Sequence, residues 1–277
     1  MGGLGNQLFQ IFATMAYSVD YDKKYVFPRE KGIHDKRQTV YWDNFLSSIK
    51  CITVTKQIQL PLYKETTFHY IPLPYIQTSF MLYGYFQSYK YFNHQYDKII
   101  NILKIREKQI AIKERNERYF NKKTIALHFR IGDYILPMHK NAHPLMPITY
   151  YEKAIRQIIE KTKIDKLNII YFCEKKDNER VQKISITVLQ KKFPNITFVK
   201  ASDELDDWEQ MLLMSCCDHN IIANSSFSWW GAYFNTSREK IVCYPSVWFG
   251  SKYLETHDTR DLCPPEWISI EMSSKKC

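Results

Sequence analysis

The 277-residue chain has 45 % hydrophobic and 25 % charged residues, values ordinary for a folded globular protein and unlike those of a disordered tail, a collagen or a coiled-coil rod. No window approaches the roughly 18 uninterrupted apolar residues of a membrane span, and no basic segment of a secretory signal precedes an apolar run, so a soluble, cytoplasmic protein is expected. The net charge of +10 favours anionic partners such as nucleic acid, a phosphorylated small molecule or a membrane surface docked peripherally. The lysines fall in separate short clusters, however, which fits solvated faces as well.

In chain order, apolar residues at Leu8, Phe12, Met15 and Val19 recur at helical spacing and predict a helix over residues 5–21. A short strand over 24–27 ends at Pro28. Residues 32–91 are aromatic-rich, poorly periodic and punctuated by prolines, which predicts loops, short helices and a strand. Residues 93–120 read as one long charged helix or two. From Lys123 the pattern becomes regular. Strands over 124–129, 167–173, 196–199, 219–223 and 241–244 alternate with helices over 149–161, 177–192, 206–217 and 227–235. Such alternation implies right-handed crossovers and a parallel sheet, with ligands beyond the carboxyl ends of its strands.

Three places carry chemistry. Three of the eight glycines fall at Gly2, Gly3 and Gly5, directly before Asn6, Gln7 and the first helix. Glycines there permit a tight turn and close approach of a ligand to a helix N-terminus, although a plain turn explains them too. The pattern GGLGNQ is neither a dinucleotide fingerprint nor a phosphate-binding P-loop. The second place is HFRIGDY at 128–134, where an apolar strand runs into His128, Arg130, Gly132 and Asp133. Arginine presents a planar fork suited to phosphate oxygens, while a simple Arg130–Asp133 pair is the plainer alternative. The third is the run Asn224, Ser225, Ser226 and Ser228 at the start of a helix. One such residue caps a helix; four leave a surplus for a diphosphate. Trp229 and Trp230 are expected to face core on one side and a cleft on the other.

Metal-ligand spacings, hydrolase and kinase motifs are missing from the sequence. The triplet Asp20-Tyr21-Asp22 stands at the end of a helix instead of after a central strand and reads as solvated surface. The seven cysteines are odd in number and lack CxxC spacing, which predicts free thiols.

The segments GGLGNQLFQ at 2–10, HFRIGDY at 128–134 and HNIIANSSFSWWGAYF at 219–234 resemble the signatures of glycosyltransferase family 11, the α-1,2-fucosyltransferases, in the family's order and spacing. The resemblance implies an α/β protein of GT-B type, two Rossmann-like lobes facing a cleft. Residues 1–120 would form the acceptor-side lobe and 121–277 the GDP-fucose-binding lobe with a parallel sheet. It implies inverting transfer of L-fucose from GDP-β-L-fucose to the 2-hydroxyl of a galactose-terminated glycan, with no cofactor and no metal. By the same resemblance Arg130 contacts the diphosphate, Asn224, Ser225, Ser226 and Ser228 line the donor pocket, and Gly5, Asn6 and Gln7 face it. His128 and Asp133 are the other catalytic candidates, Asp133 as a base or as a partner of Arg130. Asp203, Asp207 and Glu209 are candidates for the guanine edge, or else charges at a helix start. The family's short strand before the glycine turn has no counterpart in a sequence that begins at Met1-Gly2, so either this sequence is a fragment or mis-started, or the first lobe lacks that strand, which would expose a sheet edge. Two rival readings are a transferase of the same fold with another nucleotide sugar, and a non-catalytic basic module binding RNA or glycan, for which no nucleic-acid motif is present.

Overall fold

The computed structural model describes residues 2–29, 41–56, 59–139 and 141–272. The chain forms two compact units. One runs to Glu107 and adds the return segment Glu255–Pro264; the other holds Lys108–Leu254 and the residues from Pro265 on. A linear division at residue 120 misses this return. Its Asp261 is bound within the first unit by Lys90 Nζ at 2.5 Å and by the Tyr70 amide at 3.2 Å, and its backbone oxygen accepts from the buried Ser88 hydroxyl at 2.6 Å.

In the first unit helix α1 spans Leu4–Asp20 and buries Leu8, Phe9, Ile11, Phe12 and Met15. The Phe9 and Phe12 rings pack on Phe92 at 5.9 and 5.3 Å between centroids. Each such ring taken from water contributes roughly 1.5–3 kcal/mol. Strand β1, Phe27–Pro28, pairs in parallel with β2, Thr53–Val54, and β3, Leu62–Lys64, with β4, Met81–Tyr83. Among the described residues of this unit these two-stranded ladders are all the sheet there is, so the expected Rossmann-like sheet is not found there. Pro61, Pro72 and Pro74 lack the N–H that a longer ladder needs. The first part of the charged stretch forms α2, Tyr96–Ile102. Lys104 then takes φ +54°, and the chain restarts as α3, Ile105–Arg115. Of the two expected alternatives, one helix or two, two form.

The second unit is built on one six-stranded, wholly parallel sheet. Its strands are β5, Thr124–His128; β6, Asn168–Phe172; β7, Thr197–Lys200; β8, His219–Ile221; β9, Val242–Pro245; and β10, Ile268–Ile270. They lie in the order β10-β9-β8-β5-β6-β7, so the direction of winding reverses between β5 and β8. The crossovers carry α4, Ile148–Thr162; α5, Asn178–Val181, continued by a π-turn at Gln182–Ile186 into α6, Thr187–Lys192; α7, Asp207–Ser215; and α8, Ser226–Tyr233. Every residue of β5, β6 and β8 is buried, as a sheet covered on both faces requires. α4 turns Tyr150, Tyr151, Ala154, Ile155 and Ile158 onto that sheet. Strand β10 escaped the sequence pattern because its three residues, Ile268-Ser269-Ile270, are too few to show a period.

Trp229 and Trp230 are fully buried. This corrects the expectation that one side of them faces a cleft. Trp229 stacks on Tyr233 at 4.5 Å and Trp230 packs against Phe234 at 5.0 Å. Between α8 and α7 the backbones come close at Gly231, where a Cβ would lie 2.9 Å from the Met214 side chain.

Candidate active site

The site of interest in the second unit lies beyond the carboxyl ends of β5, β6 and β8, at the reversal of strand order where parallel sheets hold their ligands. Register sets what meets there. His128 stands opposite Phe172, so Arg130 and Glu174, each two residues past a strand end, emerge side by side. Leu127 stands opposite Ile221, which brings Asn224 level with Arg130 from the other flank.

Arg130 is held on three sides. One terminal nitrogen, Nη1, pairs with Glu174 Oε1, and the other, Nη2, donates to Asp133 Oδ1 at 2.5 Å. The guanidinium carbon lies 4.7 Å from the centroid of the Tyr134 ring. That ring is itself stacked on His143, with centroids 4.6 Å apart and planes 15° from parallel, and its hydroxyl donates to the Asn224 backbone oxygen at 3.2 Å. Burial raises the Tyr134 phenol above its ordinary pKa despite the opposing pull of Arg130, so the ring is neutral. Gly132 has φ +43°, a left-handed conformation, and a Cβ there would collide with the Glu174 carboxylate and lie 2.7 Å from Arg130 Nη1. Its amide donates to the buried Asp177 carboxylate at 2.9 Å. A side chain here would strain the left-handed backbone and displace the Glu174 carboxylate from its present position.

His128 closes the inner side. Its ring is buried against Phe227, at 5.6 Å between centroids, and Nδ1 has no hydrogen-bond partner. Burial, with Arg130 nearby, lowers its pKa to about 3. A neutral imidazole of that kind is a weak base near pH 7.

The run at α8 divides. Asn224 is buried, its amide nitrogen donating to the Pro144 and Trp248 carbonyls at 3.0 and 3.1 Å, while its buried side-chain oxygen has no partner. Ser225 sits at the N-cap position but makes no side-chain capping bond. Ser228 is buried and its hydroxyl turns back to the Ser225 and Ala223 carbonyls at 3.3 and 3.5 Å. Ser226 opens the helix and is half-buried.

The guanine candidates part company as well. Asp203 follows β7 and accepts from Lys200 at 2.8 Å and from Asn178 at 2.6 Å. Burial pushes its pKa up, but the bonds from Lys200 and Asn178 prevail and hold the carboxyl below its usual range. Glu209 closes a capping box with Asp206 and pairs with Arg115 at 2.7 Å. Asp207 stands in the first turn of α7, its carboxylate accepting from the Trp208 amide at 2.7 Å.

In the first unit, Gly5, Asn6 and Gln7 are part of the first turn of α1 and not of a loop before it. The positive φ falls on Gly2, at +77°, over which the Asn6 side chain lies close. Gln87 donates to Asn6 Oδ1 at 2.8 Å, and Gln7 to the Gly2 carbonyl at 3.0 Å. Asp20 and Asp22 are exposed, as the sequence reading expected, and Asp20 accepts from His94 and Gln95 at 2.8 Å in a surface network. Among the described residues no three His, Cys, Asp or Glu groups are placed to hold a metal ion. The six described cysteines are free, and burial pushes the Cys173 thiol beside the site up to about 12, leaving it inert near neutral pH.

Sequence reasoning passed over Glu174, Asp177, Asn178 and Tyr134. The signal for the first three was in view. They follow the predicted strand ending at 173 just as Arg130 follows the one ending at 129.

The model of Glycosyl transferase family 11 matches residues 40–271. The chain belongs to glycosyltransferase family 11. This family-11 chain is 28 % identical to the Escherichia coli O-antigen biosynthesis glycosyltransferase WbnK, over 97 % of its own length and 98 % of that protein's. It is 26 % identical to an Escherichia coli alpha-1,2-colitosyltransferase, over 98 % and 97 % of the two lengths. Its overlay on the apo form of POFUT1 has a TM-score of 0.43 with 13 % identity, covering 88 % of this chain and 95 % of that one. The α/β parallel sheet of the second unit is seen in the structure itself, and the Arg130 cluster lies beyond the carboxyl ends of its strands. No helix among the described residues is long and apolar enough to cross a membrane.

Proposed function

We propose that this family-11 enzyme is a galactoside α-1,2-fucosyltransferase. It would move L-fucose from GDP-β-L-fucose to the 2-hydroxyl of a terminal galactose, with inversion and without a metal, across a GT-B cleft. The observation that carries the proposal is Arg130, a guanidinium at the switch point of the parallel sheet, within the family motif and backed by Tyr134. As the bond between the anomeric carbon and the diphosphate oxygen breaks, the electron pair and the growing negative charge pass to GDP. Arg130 stabilises that charge more in the transition state than in the bound donor. The acceptor oxygen attacks the opposite face of the oxocarbenium-like carbon, and as the new bond forms its proton passes to solvent water or to the exposed Asp133 carboxylate. Asp133, joined to Arg130 at 2.5 Å, serves first to aim the guanidinium. In a dissociative displacement the acceptor proton leaves late, and no strong base is needed.

A second reading keeps the linkage and replaces fucose by colitose; the colitosyltransferase relative favours it. Incubation with GDP-fucose, and in parallel with the GDP-linked form of colitose, each with lactose or N-acetyllactosamine, separates the two. A fucosylated product linked α-1,2 is expected, formed equally in excess EDTA. Turnover of colitose alone would move the donor assignment. Dependence on added Mn²⁺ or Mg²⁺ would overturn the metal-free mechanism.

A further inference from the structure

One carboxylate in the site has two cations and no structural task that requires both. Glu174 Oε1 pairs with Arg130 Nη1, and Glu174 Oε2 lies 2.8 Å from Lys176 Nζ. The Glu174 side chain is 41 % exposed and that of Lys176 62 %, so the triad sits at the open end of the sheet and not in the core. Gly132 gives up a Cβ, at positive φ, to admit this carboxylate beside Arg130. Asp133, by contrast, is bound on Arg130's other nitrogen. Two cations converging on one exposed anion is the arrangement an anionic ligand would occupy.

We infer that Glu174 is a resident stand-in for the donor's diphosphate, and that Lys176 is a second cation of the diphosphate site. When the diphosphate enters, the Glu174 carboxylate swings away into solvent. Arg130 Nη1 and Lys176 Nζ are released together and close on phosphate oxygens. A nucleoside diphosphate carries more negative charge than one guanidinium neutralises, and without a metal a second cation has to come from the protein. While the site is empty the Glu174 carboxylate offsets the repulsion between the two cations it bridges. The inference rests on the donor-site reading proposed above, and it makes Glu174 a competitor of the ligand, not a helper.

That distinction has opposite signs in experiment. Glu174→Gln removes the competing charge, and Lys176→Gln the second cation. Both positions are exposed, and thermal melts will show that the variants are folded. Calorimetric titration of the full chain uses inorganic pyrophosphate and GDP as separate probes. The expected results are a three- to tenfold lower Kd for both probes in Glu174→Gln, and a several-fold higher Kd in Lys176→Gln. In the double variant the lysine effect should persist. If Glu174 merely holds Arg130 in place, Glu174→Gln weakens binding or leaves it unchanged, and the stand-in role is overturned while the donor site survives. Unaltered affinity in Lys176→Gln overturns the second cation. A wild-type chain that binds neither probe overturns the donor-site reading and this inference together.

Discussion

The two ends of strand β5 use similar chemistry for opposite purposes. At its amino end, Asp218 accepts from the Thr124 amide at 2.8 Å, the Thr124 hydroxyl at 3.0 Å and Lys123 Nζ at 2.9 Å. Every partner there comes from the fold, and the network is closed. At the carboxyl end Arg130 is likewise paired to carboxylates, but these are exposed by 41–44 %, and beside them the buried His128 Nδ1 and Asn224 Oδ1 have no partner. An acid–base pair that completes the hydrogen bonding of a strand start is architecture. One that ends among solvent-facing carboxylates and unsatisfied buried atoms is built for something that comes and goes.

The largest effect that can break this contrast is on turnover. Arg130→Ala should lower kcat by about two to three orders of magnitude, the scale of losing one transition-state charge stabiliser, with little change in melting temperature. Arg130→Lys should also be strongly impaired, since it keeps the charge and loses the fork. Near-normal kinetics of folded Arg130→Ala would remove the donor assignment. Asp218→Ala should do the reverse. It should cost about 2–3 kcal/mol of stability in denaturant titration, because a buried amide loses a charged acceptor, and leave kcat per folded molecule unchanged. Burial raises the Asp218 pKa, but its bonds from Lys123 and Thr124 prevail and hold it below the ordinary value. Its contribution is therefore complete above pH ~4 and fades as pH falls through the lowered folded value. The difference between wild type and Asp218→Ala should shrink in the same acid range.

His128 sharpens the comparison by titration. A histidine that stays neutral to about 3 when folded but takes a proton near pH 6.5 when unfolded stabilises the folded state fully above 6.5. That contribution is lost as pH falls from 6.5 toward 3, by about 2 kcal/mol already at pH 5. His128→Gln should flatten the slope of stability against pH over this range. An equally steep slope in the variant would mean that another group carries it. The smallest expected effect is at Ser225. A capping serine replaced by alanine costs about 1 kcal/mol. Ser225 makes no capping bond, so Ser225→Ala should leave the melting temperature within error while raising the Kd for GDP several-fold. A clear drop in melting temperature with unchanged GDP affinity would return Ser225 to the helix cap.

Much of the second unit could be read directly. Alternating strand and helix periods, with Arg130 and Asn224 just past strand ends, follow from side-chain repeats that local backbone geometry imposes on any chain. Two of the three segments that carry the family resemblance, 128–134 and 219–234, lie in this unit. The first unit was far less legible. Its ladders are two or three residues long, and so short a strand has no period to detect. The paired tryptophans illustrate a different limit: the sequence shows that they are adjacent on a helix, but only packing against Tyr233 and Phe234 places both in the core.

What the sequence by itself determined is the class of the second unit, its parallel sheet and the motif residues at its carboxyl end, because these depend on local pattern. What only the tertiary structure decided is which of those ends stand together. The register of His128 on Phe172 puts Glu174 and Lys176 beside Arg130, from a different crossover 44 residues on from Arg130 to Glu174. Register is a property of two strands at once, set by how buried faces pack, and no single segment contains it.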